Sequence, residues 1–508
     1  MISRIELLSL LAIPAFASCL LASCTNTETI KSGGGSDYDG GAAVIGDSGV
    51  VQDEPPPGCP TPAASANAAP PSGQMLVAGN SLSTRGVTTD GWEIFSDDYA
   101  LELYAVPVAG GAAQSIASLG GTFWVTVVGQ VVFAWSNVNA GNVGALTVWT
   151  SAHGAQAVSS ASFGILGSSS QDGSQILYVG NVDPQGQTGD VYMGGSDGSA
   201  QTALLKGQQL SGCFPQLGFA GSSVVVSHCD TPAGSGPSAT VSSFRAPGWA
   251  RTDLATGAQN IWSSDTAGTF VLVSTSGGVM VAPIGGGSTT MVDSSGFLGQ
   301  LIAGGQTAIY GTTSGALRKS STSSPSPVTL TSPFAGFYGV SPSQNSVLYY
   351  QNQASSGATD LFVSSTVTPG APLTLTSATD GAILGDVFTA DSAYALYSTG
   401  DNVCTGAATF SAMPVGGGGA IPLGTNVWGD WSTTGAKVIY NDNFVATGGL
   451  RYGRADLEAV DLSAGSSPTL LASQADAVID LTPTRDHVVY SWSVQPGAQA
   501  GLYVVAIP

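Results

Sequence analysis

The stretch VSPSQNSVLYY, Val340 to Tyr350, is a polar turn followed by a short β-rich run that ends in aromatic residues, and copies of it recur along the chain. Compare VTTDGWEIFS (Val87 to Ser96), SQDGSQILYV (Ser170 to Val179), FTADSAYALYS (Phe388 to Ser398), WSTTGAKVIYN (Trp431 to Asn441) and LTPTRDHVVYS (Leu481 to Ser491). Ser, Thr, Asp and Asn bond to nearby backbone groups and so favour turns, whereas β-branched and aromatic residues favour strands. A second run with a tight Gly turn follows each copy after a variable loop: LYAVPVAGG from Leu103, VMVAPIGGG from Val279, FSAMPVGGG from Phe410 and LEAVDLSAG from Leu457. LYVVAIP from Leu502 is a further second run. The first runs end at Phe95, Phe133, Tyr178, Val226, Leu272, Tyr310, Tyr349, Tyr397, Tyr440 and Tyr490, about 44 residues apart, a period that belongs to propeller blades. Alternation with period two and Gly punctuation exclude a helical solenoid.

These observations predict an all-β chain, a β-propeller of repeated four-stranded blades over residues 75–508. Ten repeats can be counted, but the units ending at Leu272 and Val226 are short or irregular, so eight or nine blades, or two smaller propellers, stay open. Met75 to Ala78 reads as a short strand ahead of the first full unit, expected to fill the outer position of the last blade and cover its edge. The SPDG-like turn and the LY-V-P-V-GG run resemble the WD-like repeat of TolB-type propellers. The resemblance covers residues 75–508 with many degenerate copies, and it implies a periplasmic scaffold that contacts envelope proteins.

Arg4 precedes an apolar run, Leu7 to Ala22, that is too short to span a bilayer stably. Leu21-Ala22-Ser23-Cys24 resembles the bacterial lipobox, which implies removal of residues 1–23 and lipidation of Cys24; cleavage elsewhere as an ordinary signal peptide is the alternative. Cys19 makes a poorer box because Phe16 occupies its apolar position. Thr25 in place of Asp implies an outer-membrane lipoprotein on the periplasmic or cell-surface side. Residues 24–74, rich in Gly, Ala, Pro, Ser and acids, carry too few apolar groups to offset ordering entropy and are expected to be a disordered tether. GDSG at Gly46 to Gly49 matches the nucleophile signature of trypsin-like proteases but lies in this stretch, and we read it as a chance match.

Only 9% of the residues are charged, and 12 basic against 33 acidic residues give a net charge of −21. Phosphate-based nucleic-acid binding needs basic patches, so nucleic acid is excluded as a partner, and membrane contact is expected through the acyl anchor alone. Beyond Cys24, the cysteines Cys59, Cys213, Cys229 and Cys404 allow three pairings. Cys213 and Cys229 flank FPQLGFAGSSVVVSH, which reads as two strands joined by a turn, so a bridge there is expected, with Cys59 and Cys404 paired by elimination or left as free thiols.

His153, His228 and His487 lack HxxxH, HxxE or CxxC context, Gly416 to Gly419 lacks the following helix and Lys of a phosphate cradle, and NDN at Asn441 lacks the spacing of a calcium loop. No catalytic residue, metal or cofactor is assigned. The connections between second and third strands read as consistently long, and function usually sits on such loops. The two longest, His228 to Trp249 and Asn441 to Asp456, carry His228, Arg245, Trp249, Asn441, Asp442, Phe444, Arg451, Tyr452 and Arg454. Arg and aromatics are enriched at binding hot spots, so these residues are the expected binding face for envelope proteins or polysaccharide. The rival expectation is a propeller hydrolase or lyase acting on glycans or peptides.

Overall fold

The computed structural model describes residues 71–508 apart from 211–214, 230–238, 266–267, 352–358, 380–384, 401–406, 429–430, 447–452, 477–478 and 494–498. The described residues form strands, turns and no helix. They fall into two compact units, Ile116–Ser332 on one hand and 71–115 with Pro333–Pro508 on the other.

In the second unit, β1 (Gln74–Ala78) precedes a four-stranded antiparallel meander of β2 (Leu82–Val87), β3 (Trp92–Asp97), β4 (Glu102–Pro107) and β5 (Gln114–Ser118). The first unit continues with β6 (Trp124–Val128), β7 (Val131–Ser136), β8 (Val143–Thr150), β9 (Gly154–Ser169), β10 (Gln175–Gly180), β11 (Thr188–Gly195) and β12 (Thr202–Gln209) in one seven-stranded sheet. Strand β9 pairs with β8 through residues up to Phe163 and with β10 from Ser162 onward. One long strand is thus the outer strand of one blade and the inner strand of the next. Its second half crosses an aromatic ring at close range: a Cβ on Gly167 would lie 2.7 Å from the Phe133 ring, so glycine is required there. The next seven strands repeat the device: β13 (Gln216–Ala220), β14 (Ser223–His228), β15 (Ala239–Arg245), β16 (Ala250–Ser264), β17 (Phe270–Thr275), β18 (Gly278–Pro283) and β19 (Thr290–Asp293). Here β16 pairs with β15 up to Ala258 and with β17 from Ala258 to Ser264.

Single blades follow. The first comprises β20 (Gly296–Ile302), β21 (Thr307–Thr312), β22 (Leu317–Ser321) and β23 (Val328–Thr331), and the next β24 (Gly336–Val340), β25 (Ser346–Gln351), β26 (Thr359–Ser365) and β27 (Leu373–Thr379). Then come β28 (Tyr394–Thr399), β29 (Ala408–Pro414) and β30 (Ile421–Val427), extended inward by the bridge Phe388 to Ala395. The last complete sets are β31 (Ser432–Thr434), β32 (Lys437–Ala446), β33 (Gly453–Asp461) and β34 (Thr469–Asp476), then β35 (Ile479–Leu481), β36 (His487–Trp492) and β37 (Gly501–Ala506). Strand β1 pairs antiparallel with β37 and completes the sheet β35-β36-β37-β1, as expected for Met75 to Ala78. The fold is an all-β propeller architecture of four-stranded antiparallel blades.

All ten residues that end the first runs, Phe95 to Tyr490, are buried on the central strands β3, β7, β10, β14, β17, β21, β25, β28, β32 and β36. These strands are apolar without alternation because both faces are covered. In β14, Val224 and Val226 pack with Leu177, Val179 and Val191 of the preceding blade, while Val225 packs with Val271 and Val273 of the following one.

The repeated turn has a repeated hydrogen-bond logic. The backbone N–H that opens the central strand donates to the hydroxyl of the first turn residue: Trp92 to Thr88 at 3.0 Å, Gln175 to Ser170 at 2.9 Å, Ser346 to Ser341 at 3.1 Å, Tyr394 to Thr389 at 3.0 Å and His487 to Thr482 at 3.2 Å. The hydroxyl then donates to the carboxylate two residues on, at 2.6 Å in Thr88–Asp90, Ser170–Asp172 and Thr389–Asp391. In one blade Asp265 takes the first position and its Oδ1 accepts the N–H of Phe270 at 2.9 Å. Thr389→Val removes both bonds while keeping the shape, and an equilibrium urea titration is expected to show a loss of about 1–2 kcal/mol; an unchanged midpoint would mean that the turn does not depend on its hydroxyl.

Candidate functional site

The described residues hold one hydrogen-bonded set in which His, Ser and Asp occur together, and it lies in the first unit. Strand pairing places Ser242 of β15 directly opposite Asp253 of β16, and His228 ends the neighbouring β14. His228 is fully buried. Its Nε2 is 2.8 Å from Ser242 Oγ and its Nδ1 is 3.1 Å from Gln208 Oε1 of β12, in the preceding blade. Ser242 Oγ donates to Asp253 Oδ1 at 2.7 Å, and Arg251 Nε donates to the same oxygen at 2.6 Å.

Burial tends to raise the Asp253 carboxyl, but hydrogen bonds from Arg251 and Ser242 and the charges of Arg251 and His228 outweigh it and hold the group below its ordinary value. Asp253 is half-exposed and borders a shallow cleft of about 330 Å³ that Leu254, Ala255, Thr256, Met280 and Thr289 also line.

The order of this set is Asp–Ser–His. Nucleophilic triads require the imidazole between the hydroxyl and the carboxylate. Here the serine is in the middle, fully buried, with its proton committed to Asp253. The arrangement can position and carry a proton; it does not activate a nucleophile. Among the described residues no group of three or more His, Cys, Asp or Glu is placed to hold a metal ion.

The residues expected to form a binding face fare differently. Arg245 is the last residue of β15, and Trp249 sits in the turn 246–249 that leads to β16, at the opposite end of β15 from the connection 229–238. Serine-rich ATVSSFR reads as loop in sequence, yet it is a strand with buried Ser242, Ser243 and Phe244. His228 and Asn441 are fully buried and Phe444 is 2% exposed, so their side chains lie inside the blades and not on the exposed face expected for them. Phe444 stacks on Trp428 with ring centroids 4.8 Å apart. Arg454 lies on β33 opposite Asp476 and donates through Nη2 to the Ser493 carbonyl at 3.1 Å. Burial raises the Asp476 carboxyl despite hydrogen bonds from Ser491 and Ser493 and the Arg454 charge. Asp442 faces Asp456 across β32 and β33. Nearby, burial first, and then the charges of Asp442 and Asp456, raise Glu458 against a hydrogen bond from Tyr440.

Arg451 and Tyr452 lie outside the described residues, as do Cys24, Cys59, Cys213 and Cys404. Cys229 is buried beside the end of β14. Second-to-third connections are long in some blades only: two residues, 276–277, separate β17 from β18. Gln208, Ser242, Arg251 and Asp253 were not singled out by sequence, and the one signal for them is a pair of serines inside an otherwise apolar strand.

No protein-family profile matches the chain, and no curated protein matches it. Solved structures similar to it include a eukaryotic initiation factor, with 13% identity over 70% of this chain and 91% of that one at a TM-score of 0.46. The dihydro-heme d1 dehydrogenase NirN has 16% identity over 76% and 80% at 0.40, and the β-propeller domain of the Trilobed protease from Pyrococcus furiosus has 10% over 57% and 92% at 0.30. With TM-scores below 0.5, the fold assignment rests on the strand pairing above.

Proposed function

We propose that the protein is a lipid-anchored, extracytoplasmic interaction scaffold that binds envelope proteins or polysaccharide through the second-to-third-strand connections of the second unit. The observation that carries this reading is loop length in successive blades. In the second unit these connections span 98–101, 352–358, 400–407, 447–452 and 493–500, so four of its blades carry six to eight residues there; the first unit ranges from the two residues between β17 and β18 to the ten of 229–238. Strand alternation sends all of them from the same edge of their blades, and variable loops over a rigid sheet are where binding surfaces are built. Leu21 to Cys24 and the Pro- and acid-rich residues 25–74 support an anchor followed by a spacer. Cys213 and Cys229 bracket the β13–β14 hairpin in sequence, and a bridge between them, with Cys59 to Cys404 as a second, belongs to the same proposal for an oxidising compartment.

Two variants test it. Cys24→Ala is expected to move the protein from the membrane pellet to the soluble fraction, and persistent fatty-acid labelling of that variant would remove the anchor. Replacing 353–357 and 448–452 by Ser-Gly segments of the same length is expected to abolish cross-linking to envelope components with a stability change near 0.5 kcal/mol. Retained cross-linking at intact stability would move the surface elsewhere. A propeller hydrolase or lyase is the competing reading, and turnover of a glycan or peptide by the purified chain would favour it.

A further inference from the structure

We infer that His228 is held as an imidazolium in the chain Gln208–His228–Ser242–Asp253, and that its loss of a proton at higher pH loosens the junction between the blade β9–β12 and the blade β13–β16. The protons along this chain can be counted. Gln208 Nε2 donates to the Lys206 carbonyl at 2.8 Å, which turns Oε1, an acceptor, toward His228 Nδ1. At the other end the Asp253 carboxylate is also an acceptor, and it takes the one proton that Ser242 has to give. Ser242 Oγ can then only accept from His228 Nε2, 2.8 Å away. Both ring nitrogens must donate, which is the protonated state. The low-lying Asp253 carboxyl is consistent with this, since it stays an acceptor across the neutral range.

The charged groups on the strands around the ring can be named strand by strand. From β16 come Asp253 and Arg251, paired with each other at 2.6 Å. From β12 comes Lys206, whose side chain is exposed, and from β11 Asp190, whose Oδ1 accepts the Gly207 N–H at 2.7 Å. Strand β15 offers only Arg245, at its far end, and β14 continues into buried Cys229. Asp230 follows outside the described residues. Among the described residues, Asp253 is linked to the ring through the Ser242 hydroxyl, and its carboxylate also satisfies a guanidinium. Removing the ring proton leaves either Gln208 Oε1 or Ser242 Oγ facing a lone pair inside a fully buried site, which is unfavourable. The Gln209 N–H crosses this junction to the Cys229 carbonyl at 3.5 Å, and beside it the Leu210 N–H donates to the Gln187 carbonyl at 2.8 Å within the blade β9–β12.

The test uses the full mature chain. Ring nitrogen NMR, with His153→Gln and His487→Gln supplying the assignment, is expected to show His228 doubly protonated at pH 6.5 and singly protonated at the alkaline end of its titration. Amide exchange at Gln209 and Leu210, corrected for intrinsic pH dependence, is expected to accelerate about tenfold over the same titration. In Asp253→Ala the carboxylate acceptor is gone and Ser242 is free to turn its proton to Nε2, so His228 is expected to be singly protonated at pH 6.5 and exchange to lose its pH dependence. Ser242→Ala, which cuts the chain with a smaller change, is expected to behave alike. A singly protonated His228 in the wild type at pH 6.5, or double protonation unchanged in both variants, would overturn the assignment. Exchange insensitive to the titration would overturn the junction switch.

Discussion

A chain that begins after residue 78 is expected to be less stable than one that begins after residue 70 by about 3–5 kcal/mol in equilibrium denaturation of the second unit. The deletion removes β1, which occupies the outer edge of the sheet β35-β36-β37-β1. Met75 packs against the cluster around Tyr490 and Tyr503, and Leu76 and Val77 against Phe95, Val106 and Leu502. Each is partly buried, so each contributes less than the roughly 1.5–3 kcal/mol of a fully buried aliphatic side chain. The antiparallel pairs Gln74 to Val504 and Ala78 to Gly501 are lost as well, leaving β37 as an open edge. Ser72 is held too: its hydroxyl donates to the Leu471 carbonyl and its own carbonyl accepts from Tyr490 at 2.6 Å. Both truncations lack Cys59, which removes any bridge from the comparison. Gly501→Ala probes the same edge by one atom, because a Cβ there would lie 2.1 Å from the Val77 carbonyl oxygen. Burial pushes the Tyr490 phenol up to about 12 against a hydrogen bond to Ser72. The folded phenol keeps its proton where the unfolded one, near 10, has lost it. Stability should therefore fall between about pH 10 and 12 in the longer chain. Equal midpoints for the two truncations would show that the edge does not need β1.

How much of this was legible in the sequence depended on whether the cause was local. The turn motif was readable because its determinants lie within five residues: Thr389, Asp391 and Tyr394 carry their own hydrogen bonds whatever surrounds them. The central strands were readable because burial on both faces forces an apolar run, and β1 because a lone β-rich segment ahead of the first unit has an open edge to fill. The continuous strands β9 and β16 were not, since GAQAVSSASFGILGSS carries no signal for where one blade ends and the next begins. The Asp–Ser–His chain was not legible either. Ser242 meets Asp253 only because the register of β15 and β16 shifts between Val241 and Ser242, and a one-residue slip would turn the side chains to the other face. Burial of Asn441 and His228 likewise depends on the neighbouring strands, and their polarity in sequence pointed to solvent.

Trp431→Ala is expected to cost about 3–5 kcal/mol, a loss as large as that of β1 and confined to one residue. Trp431 is 1% exposed and sits where the blade β28–β30 meets the blade β31–β34. Its ring stacks on Phe410 at 4.3 Å, and Phe410 in turn meets Tyr440 at 5.5 Å. Leu396 and Leu423 from one blade and Val438 and Val460 from the other close around this group. The indole N–H donates to the Asp386 carbonyl at 2.8 Å, and Asp386 Oδ2 accepts both the N–H and the hydroxyl of Thr433 at 2.9 Å. The backbone is equally close, since a Cβ on Gly385 would lie 2.3 Å from the Trp431 carbonyl oxygen. Removing the indole leaves a cavity between two sheets whose strands are fixed by their own ladders, so little collapse is available to offset it. Trp431→Phe separates the two contributions: it keeps most of the ring contact and loses the N–H donor, for an expected cost of about 1–2 kcal/mol. Urea titrations of both variants, followed by tryptophan fluorescence from the eight that remain, measure the difference. If alanine and phenylalanine were equally tolerated, packing at this junction would be looser than the ring distances require, and the blades would be held by their strand ladders alone.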